Sequence, residues 1–261
     1  MRVRQAEDIT FGCCRQAADP HDVGICGVVH GLSVAGEEMK DQSRITSEPL
    51  TLLLAASLAL IISGITPHDR LTWVLEIFPF LIAVPILAVS YRKFPLTPLL
   101  YRLVFIHAII LFIGGHYTYA EVPFGFTLKD IFGLARNPYD RIGHFAQGFV
   151  PAIAAREILL RRTPLVRGGW LFFIVACICL AISACYEFIE WWSAVALGQG
   201  ADAFLGTQGD PWDTQWDMFT ALLGALAAQL FFARLHDRQL QTVASRPVVE
   251  AATGVAVESK G

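Results

Sequence analysis

Apolar residues along the chain fall into long runs separated by short polar stretches. Six runs stand out, at about Pro49–Thr66, Leu71–Tyr91, Pro98–Tyr119, Ile142–Leu160, Gly168–Trp192 and Thr214–Leu235. Each approaches the roughly 20 residues that a helix needs to cross a hydrocarbon core. The pattern predicts an all-α protein, a polytopic bundle of six transmembrane helices over residues 39–235. The fourth run is the most polar, carrying Gln147, Pro151, Arg156 and Glu157, and is expected to be shielded by its neighbours rather than bathed in lipid. Residues 1–38 hold scattered charges and no apolar stretch long enough for a signal peptide. They are expected to form a disordered leader, with translation starting at Met39. Residues 236–261 lack periodicity and are expected to form a disordered cytoplasmic tail.

Composition agrees with a membrane solvent. Hydrophobic residues make up 54% of the chain and charged residues only 16%, against roughly 25% charged in soluble domains. That excludes an ordinary cytosolic enzyme. A net charge of −3, with no long basic run, removes nucleic acid from the expected partners. Cys13, Cys14 and Cys26 precede the first run, and Cys177, Cys179 and Cys185 lie within the fifth. Neither group has disulfide-framework or metal-site spacing.

Basic residues set the expected orientation, since short loops rich in Lys and Arg stay in the cytoplasm. Lys40 and Arg44 precede the first run. Arg92 and Lys93 follow the second, Arg161, Arg162 and Arg167 the fourth, and Arg234 and Arg238 fall at the end of the sixth. The stretch Ser193–Asp213 has Asp202, Asp210 and Asp213 and no Lys or Arg. Both termini are therefore expected in the cytoplasm, with the first, third and fifth loops outside. The third loop is mixed, with Lys129, Arg136 and Arg141 among Glu121, Asp130 and Asp140.

In that orientation several helices deliver ionisable side chains to one outward-facing end. The third run ends with His116 and Tyr117, and the fourth opens with Asp140, Arg141, His144 and Gln147. The fifth finishes with Glu187 and Glu190, and the sixth opens with Asp213 and Asp217. Asp140 and His144, Glu187 and Glu190, and Asp213 and Asp217 are each three or four residues apart, so each pair shares a helical face. Carboxylates at membrane depth are costly and turn toward a bundle interior. One shared pocket is the expected arrangement, with His144, Glu187 and Asp217 as candidate catalytic groups. Asp140, His144, Glu187, Glu190, Asp213 and Asp217 are candidate metal ligands. His116, Tyr117, Arg141, Gln147, Gln208 and Asp210 are candidate substrate contacts. The structural alternative is an interfacial belt of Trp and Tyr with acids at helix N-termini. The glycine-rich stretch 203–213 is expected either as a lid over this pocket or as a plain connector. Glu76 and His107 are expected to be packing groups, and Arg156 and Glu157 to snorkel toward the cytoplasm.

The stretches Gly115–Pro123, Tyr139–Phe149, Tyr186–Trp192 and Gly206–Met218 resemble the YjdF-like family of bacterial inner-membrane proteins. The resemblance implies a multi-pass location in the inner membrane and attaches no activity. More distantly, Asp140-Arg-Ile-Gly-His144-Phe145, followed by Glu187 or Glu190 and then Asp213 or Asp217, is similar to the pattern of VanZ-like membrane proteins. The Gln-Gly-Asp-Pro-Trp loop departs from that pattern, so what this likeness implies is a shared polar constellation rather than a reaction.

Three function classes follow. The first is a binding or catalytic pocket for an envelope lipid, a lipid-linked substrate or another small molecule. It would use a carboxylate base and His144, or a divalent cation such as Mg²⁺, Mn²⁺ or Zn²⁺. The second is a proton-coupled carrier, and the third a non-catalytic scaffold whose protein partner the sequence does not name. Cysteine-accessibility labelling in intact cells checks the orientation all three assume. A cysteine at Asp202 is expected to react from outside and one at Arg162 to be protected, and the opposite pattern overturns the outward pocket.

Overall fold

The computed structural model describes residues 47–198 and 202–244. The expected leader 1–38 and start at Met39 lie outside the described residues. In chain order the helices are α1 (Ser47–Ser63), α2 (Arg70–Ser90), α3 (Pro98–Tyr117), α4 (Pro123–Phe132), α5 (Tyr139–Arg162), α6 (Gly169–Leu197), α7 (Asp202–Leu205) and α8 (Asp213–Ala244). A single 3₁₀ turn, Tyr119–Glu121, follows α3. The described residues are thus all helical, without strands.

Four helices, α2, α3, α6 and α8, are long and apolar enough to cross a membrane. Six were expected. The shortfall has two causes. Helix α1 is apolar but shorter than a full span. Helix α5 is 24 residues long, but it carries Asp140, Arg141, Arg156, Glu157, Arg161 and Arg162. It can be this polar because it packs against α3, α6 and α8 at once, so most of its surface never meets lipid. Helix α8, at 32 residues, would measure about 48 Å at 1.5 Å per residue and outruns a hydrocarbon core of about 30 Å. It continues to Ala244, nine residues past the expected end at Leu235. Buried His236 and Leu240 hold this extension to the bundle, so the expected tail boundary falls inside the helix.

Helix ends follow local chemistry. The Asp69 carboxylate accepts from the Thr72 amide at 2.7 Å and caps α2. That hydrogen bond holds the Asp69 carboxyl below its ordinary pKa. Pro98 and Pro123 stand at the first positions of α3 and α4, where their missing N–H is no loss. Helix α4 exposes Phe124, Ile131 and Phe132, the pattern of a helix lying along a membrane interface.

The largest interface is α5 on α8, and it is built from small residues. Ala152, Ala221, Ala225 and Ala228 are fully buried in it. A Cβ added at Gly148 would stand 1.7 Å from the Ala221 carbonyl oxygen, and one at Gly224 would stand 2.1 Å from that of Phe145. Backbone therefore touches backbone, as in membrane bundles whose helices approach through small residues. Gly148→Ala and Gly224→Ala are each expected to destabilise the protein by about 1–3 kcal/mol through overpacking. Gly169→Ala, where nothing lies within 4 Å, should leave stability unchanged. Thermal unfolding in detergent distinguishes the three variants.

Candidate functional site

Helices α2, α3, α5 and α6 surround a cavity of about 170 Å³ at the acidic end of the bundle. Its wall includes Glu76 and Pro79 of α2, His107 and Leu111 of α3, Asp140, His144 and Gln147 of α5, and Tyr186 and Glu190 of α6. Tyr119 from the 3₁₀ turn and Phe204 from α7 complete it. Tyr119 owes its place to two glycines, because a Cβ at Gly114 or Gly143 would stand 2.3 or 2.6 Å from its ring. The chain reverses into that position at Thr118, whose φ of 61° is unusual for a β-branched residue.

His144 is the centre of the polar groups. Its Nδ1 lies 3.1 Å from Gln147 Oε1, an oxygen that only accepts, so Nδ1 carries the hydrogen. That leaves Nε2 facing Asp140 Oδ1 at 3.5 Å and Asp217 Oδ1 at 3.8 Å. On its other side Nδ1 is 3.9 Å from Glu187 Oε1. Ligand atoms of Asp140, His144 and Asp217 lie within 4.8 Å of one another, as do those of His144, Glu187 and Glu190. Both sets have the residue types that divalent cations take, but only the first faces the free Nε2, while Glu187 faces the Nδ1–H. Glu187 Oε1 is buried and makes no hydrogen bond among the described residues.

Two arginines hold the acids of α8 to α5. Arg141 pairs through Nη1 with Asp217, and through Nη2 with Asp213 at 2.9 Å and Asp210 at 3.2 Å. Arg136 pairs with Asp213 and, at 3.2 Å, with Asp140, and it donates to the Gly206 carbonyl at 3.0 Å. The stretch after α7 is therefore fastened over the site. Gln208 adds a reciprocal pair with the Asn137 backbone, at 2.9 and 3.0 Å. Asn137 is fully buried, and its side-chain amide donates to the carbonyls of Ala120 and Val122, tying the turn, the stretch after α7 and the start of α5 together.

The structure thus gathers Asp140, His144, Gln147, Glu187, Glu190 and Asp217 around one imidazole, but of these only Asp140, His144, Gln147 and Glu190 line the cavity, and it sorts the remaining candidates differently. Asp213 belongs with the arginines and joins neither ligand set. Arg141, Gln208 and Asp210 hold the frame. His116 and Tyr117, expected as substrate contacts, stay outside the cavity. The His116 ring donates to the Ser63 carbonyl at 2.8 Å, and its carbonyl accepts from the His68 amide, so it ties the α1–α2 connection to α3. Tyr117 packs edge-on against that ring and is exposed. Glu76 and His107, expected to be packing groups, line the cavity instead. The signal for them was their charge within an apolar run. Arg136 and Asn137, in a loop, gave none.

At the opposite end Arg156 and Glu157 do not snorkel. Both are buried. Arg156 Nη1 donates to His236 Nδ1 at 2.8 Å, so His236 Nε2 carries the hydrogen and donates to Glu157 Oε2 at 3.0 Å. Thr97 and Arg161 also donate to Glu157, and Arg156 pairs with Asp237. Every buried charge there has a partner, which marks a structural lock between α5 and α8.

Because Arg141 carries the buried Asp217, Arg141→Leu is expected to cost about 3–5 kcal/mol by leaving a buried charge unpaired. Adding Asp217→Leu should restore most of that loss. Unfolding of the single and double variants in detergent measures the difference.

Residues 48–238 match the family described as Predicted membrane protein (DUF2238). The Inner membrane protein YjdF of Escherichia coli (strain K12) is 57% identical over 199 residues, covering 75% of this chain and 95% of that protein. No solved structure matches. With its apolar helices, these findings make the chain a multi-pass inner-membrane protein that belongs to the DUF2238 family.

Proposed function

We propose that this protein holds a divalent cation in an outward-facing pocket and binds, or acts on, an envelope lipid or lipid-linked substrate there. The observation that carries the reading is the buried, unpartnered Glu187 Oε1 beside His144 and Glu190. A buried carboxylate oxygen that accepts no hydrogen bond, with the His144 ring no nearer than 3.9 Å, is costly at this depth, and a bound cation offsets that cost. His144 Nε2, Asp140 and Asp217 form the first ligand set, with Gln147 orienting the imidazole as partners of metal-bound histidines do. His144, Glu187 and Asp217 are the groups assigned to chemistry, and the cation would activate water or polarise the substrate.

The reading includes six crossings, with α1 and α5 completing the set and both termini in the cytoplasm. The basic residues at the Glu157 end and the Arg- and Lys-free stretch 193–213 support it. The distant VanZ-like pattern supports the grouping of Asp140, His144, a glutamate of α6 and an aspartate of α8. A carrier is the weaker reading. An apolar layer of Leu100, Leu103, Val150, Ile153 and Val175 lies in the core, and along α5 Val150 and Ile153 stand between Gln147 and Glu157. That layer offers no relay for a proton or ion.

The test is thermal unfolding in detergent with millimolar Mg²⁺, Mn²⁺ or Zn²⁺. Wild type is expected to be stabilised by at least one ion, by about 2.7 kcal/mol when the ion stands at a hundred times its Kd. His144→Ala should lose that shift. Glu187→Gln should match or exceed wild type without ion, because like charges no longer crowd, and should not respond to ion. A wild type indifferent to every ion, with a strongly destabilised Glu187→Gln, marks a structural cluster and overturns the proposal.

A further inference from the structure

Four helices wall the cavity, and the seams between them differ. Helix α2 packs on α3, α3 on α5 and α5 on α6, but among the described residues α2 and α6 share no interface of that extent. The short α7 touches both across the top, where Phe204 lies 6.4 Å from the Tyr186 ring. The ring of helices is therefore roofed at its acidic end and most thinly closed along the α2–α6 side. Ile182 lines the cavity and is itself 40% exposed, so the wall there is a single side chain thick.

The lips of this seam are apolar. On α2, Pro79, Ile82 and Ile86 follow at i, i+3 and i+7 and share one face, with Pro79 on the cavity wall and both isoleucines exposed. On α6, Ile182, Cys185 and Ile189 repeat that spacing, and all three are exposed. Helices α2 and α6 are both long and apolar enough to cross the membrane, so what meets these lips is acyl chain, not water.

Size points the same way. Pockets that enclose a drug-sized ligand measure about 300–1,000 Å³, and this cavity measures about 170 Å³. It accommodates a headgroup and little else, so the rest of an occupant must extend through the side. Inside, the wall is rich in acid, with Glu76, Asp140 and Glu190 beside His144. An anionic head is therefore accepted only with a cation between, and phosphate oxygen is the hard donor that completes the shell of such an ion.

We infer that the α2–α6 seam is a lateral portal through which a lipid-borne phosphate ester brings its head from the bilayer to the cavity, its hydrocarbon chain remaining between the lips. The choice of a phosphate head rests on the cation reading above, and the portal itself does not.

Two measurements keep those parts separate. In a background with all six cysteines replaced, Leu111→Cys is placed in the cavity and Ile182→Cys at its mouth, with Leu230→Cys as a lipid-facing control. In vesicles, a maleimide on an acyl chain is concentrated in the bilayer. It should label Leu111→Cys at least about tenfold faster than a charged, water-borne methanethiosulfonate does. Adding Ile82→Trp should slow that labelling several-fold and leave Leu230→Cys unaffected. Labelling by the charged reagent at an equal rate, labelling by neither, or indifference to Ile82→Trp overturns the portal. If Leu111→Cys does not fold, Ile182→Cys with Ile82→Trp gives the same readout.

The second measurement is thermal unfolding with Mn²⁺ alone, with Mn²⁺ and inorganic phosphate, and with Mn²⁺ and a short-chain phosphatidic acid. The lipid phosphate is expected to add stabilisation that inorganic phosphate at equal concentration does not. A Mn²⁺ shift that neither phosphate changes, or that both change equally, overturns the lipid assignment and leaves the cation site standing. Absence of any Mn²⁺ shift, with normal portal labelling, overturns the phosphate head and leaves the portal.

Discussion

The approach of α5 to α8 through Gly148 and Gly224 is the contact on which the remaining structure depends. Two backbones that touch at Ala221 and Phe145 fix the depth and rotation of both helices, because any added carbon would collide with a carbonyl oxygen. From that contact Arg141 reaches Asp213 and Asp217 in one direction, and Glu157 reaches His236 in the other. Lipid provides no hydrophobic drive to associate helices, so close packing between small residues and paired polar groups must supply the attraction. The same few glycines and alanines therefore position both polar clusters.

Those clusters solve the cost of buried charge in opposite ways. Around Glu157 the charges and donors match: Thr97, Arg161 and His236 all donate to one carboxylate, and Arg156 fills the remaining side of the imidazole. Around His144 they do not match. The arginines turn their guanidinium Nη atoms to Asp140, Asp210, Asp213 and Asp217, and both Arg136 Nε and Glu187 Oε1 are left without a hydrogen bond among the described residues. The bundle thus satisfies its buried charges fully at one end and concentrates acid at the other.

The local framework around the site is unusually constrained for a membrane surface. Asn137, buried between the 3₁₀ turn and α5, makes its hydrogen bonds to backbone groups on both sides, and Gln208 clasps its main chain from the stretch after α7. Tyr119 fits only because Gly114 and Gly143 lack side chains. The α2–α6 side, by contrast, has no interface of comparable extent among the described residues.

Much of this was legible in the chain itself. Run length and charge deficit determined that the protein is helical and membrane-embedded, since a bilayer admits little else. The i, i+3 and i, i+4 spacings placed Asp140 with His144 and Glu187 with Glu190 on shared faces, because helical geometry is local. What spacing could not say is which faces meet. Asp213, Asp210 and Gln208 looked like members of the site, and in the fold they pair with arginines and an asparagine distant in sequence. His116 and Tyr117 come at the end of α3 near the cavity but are not among its lining residues, His116 being bonded to the Ser63 carbonyl. Glu76 and His107 looked isolated because their neighbours come from other helices. Only the tertiary structure decided these, and it alone showed how little α2 and α6 share, because the extent of contact between two helices is a property of their packing and leaves no mark on either sequence.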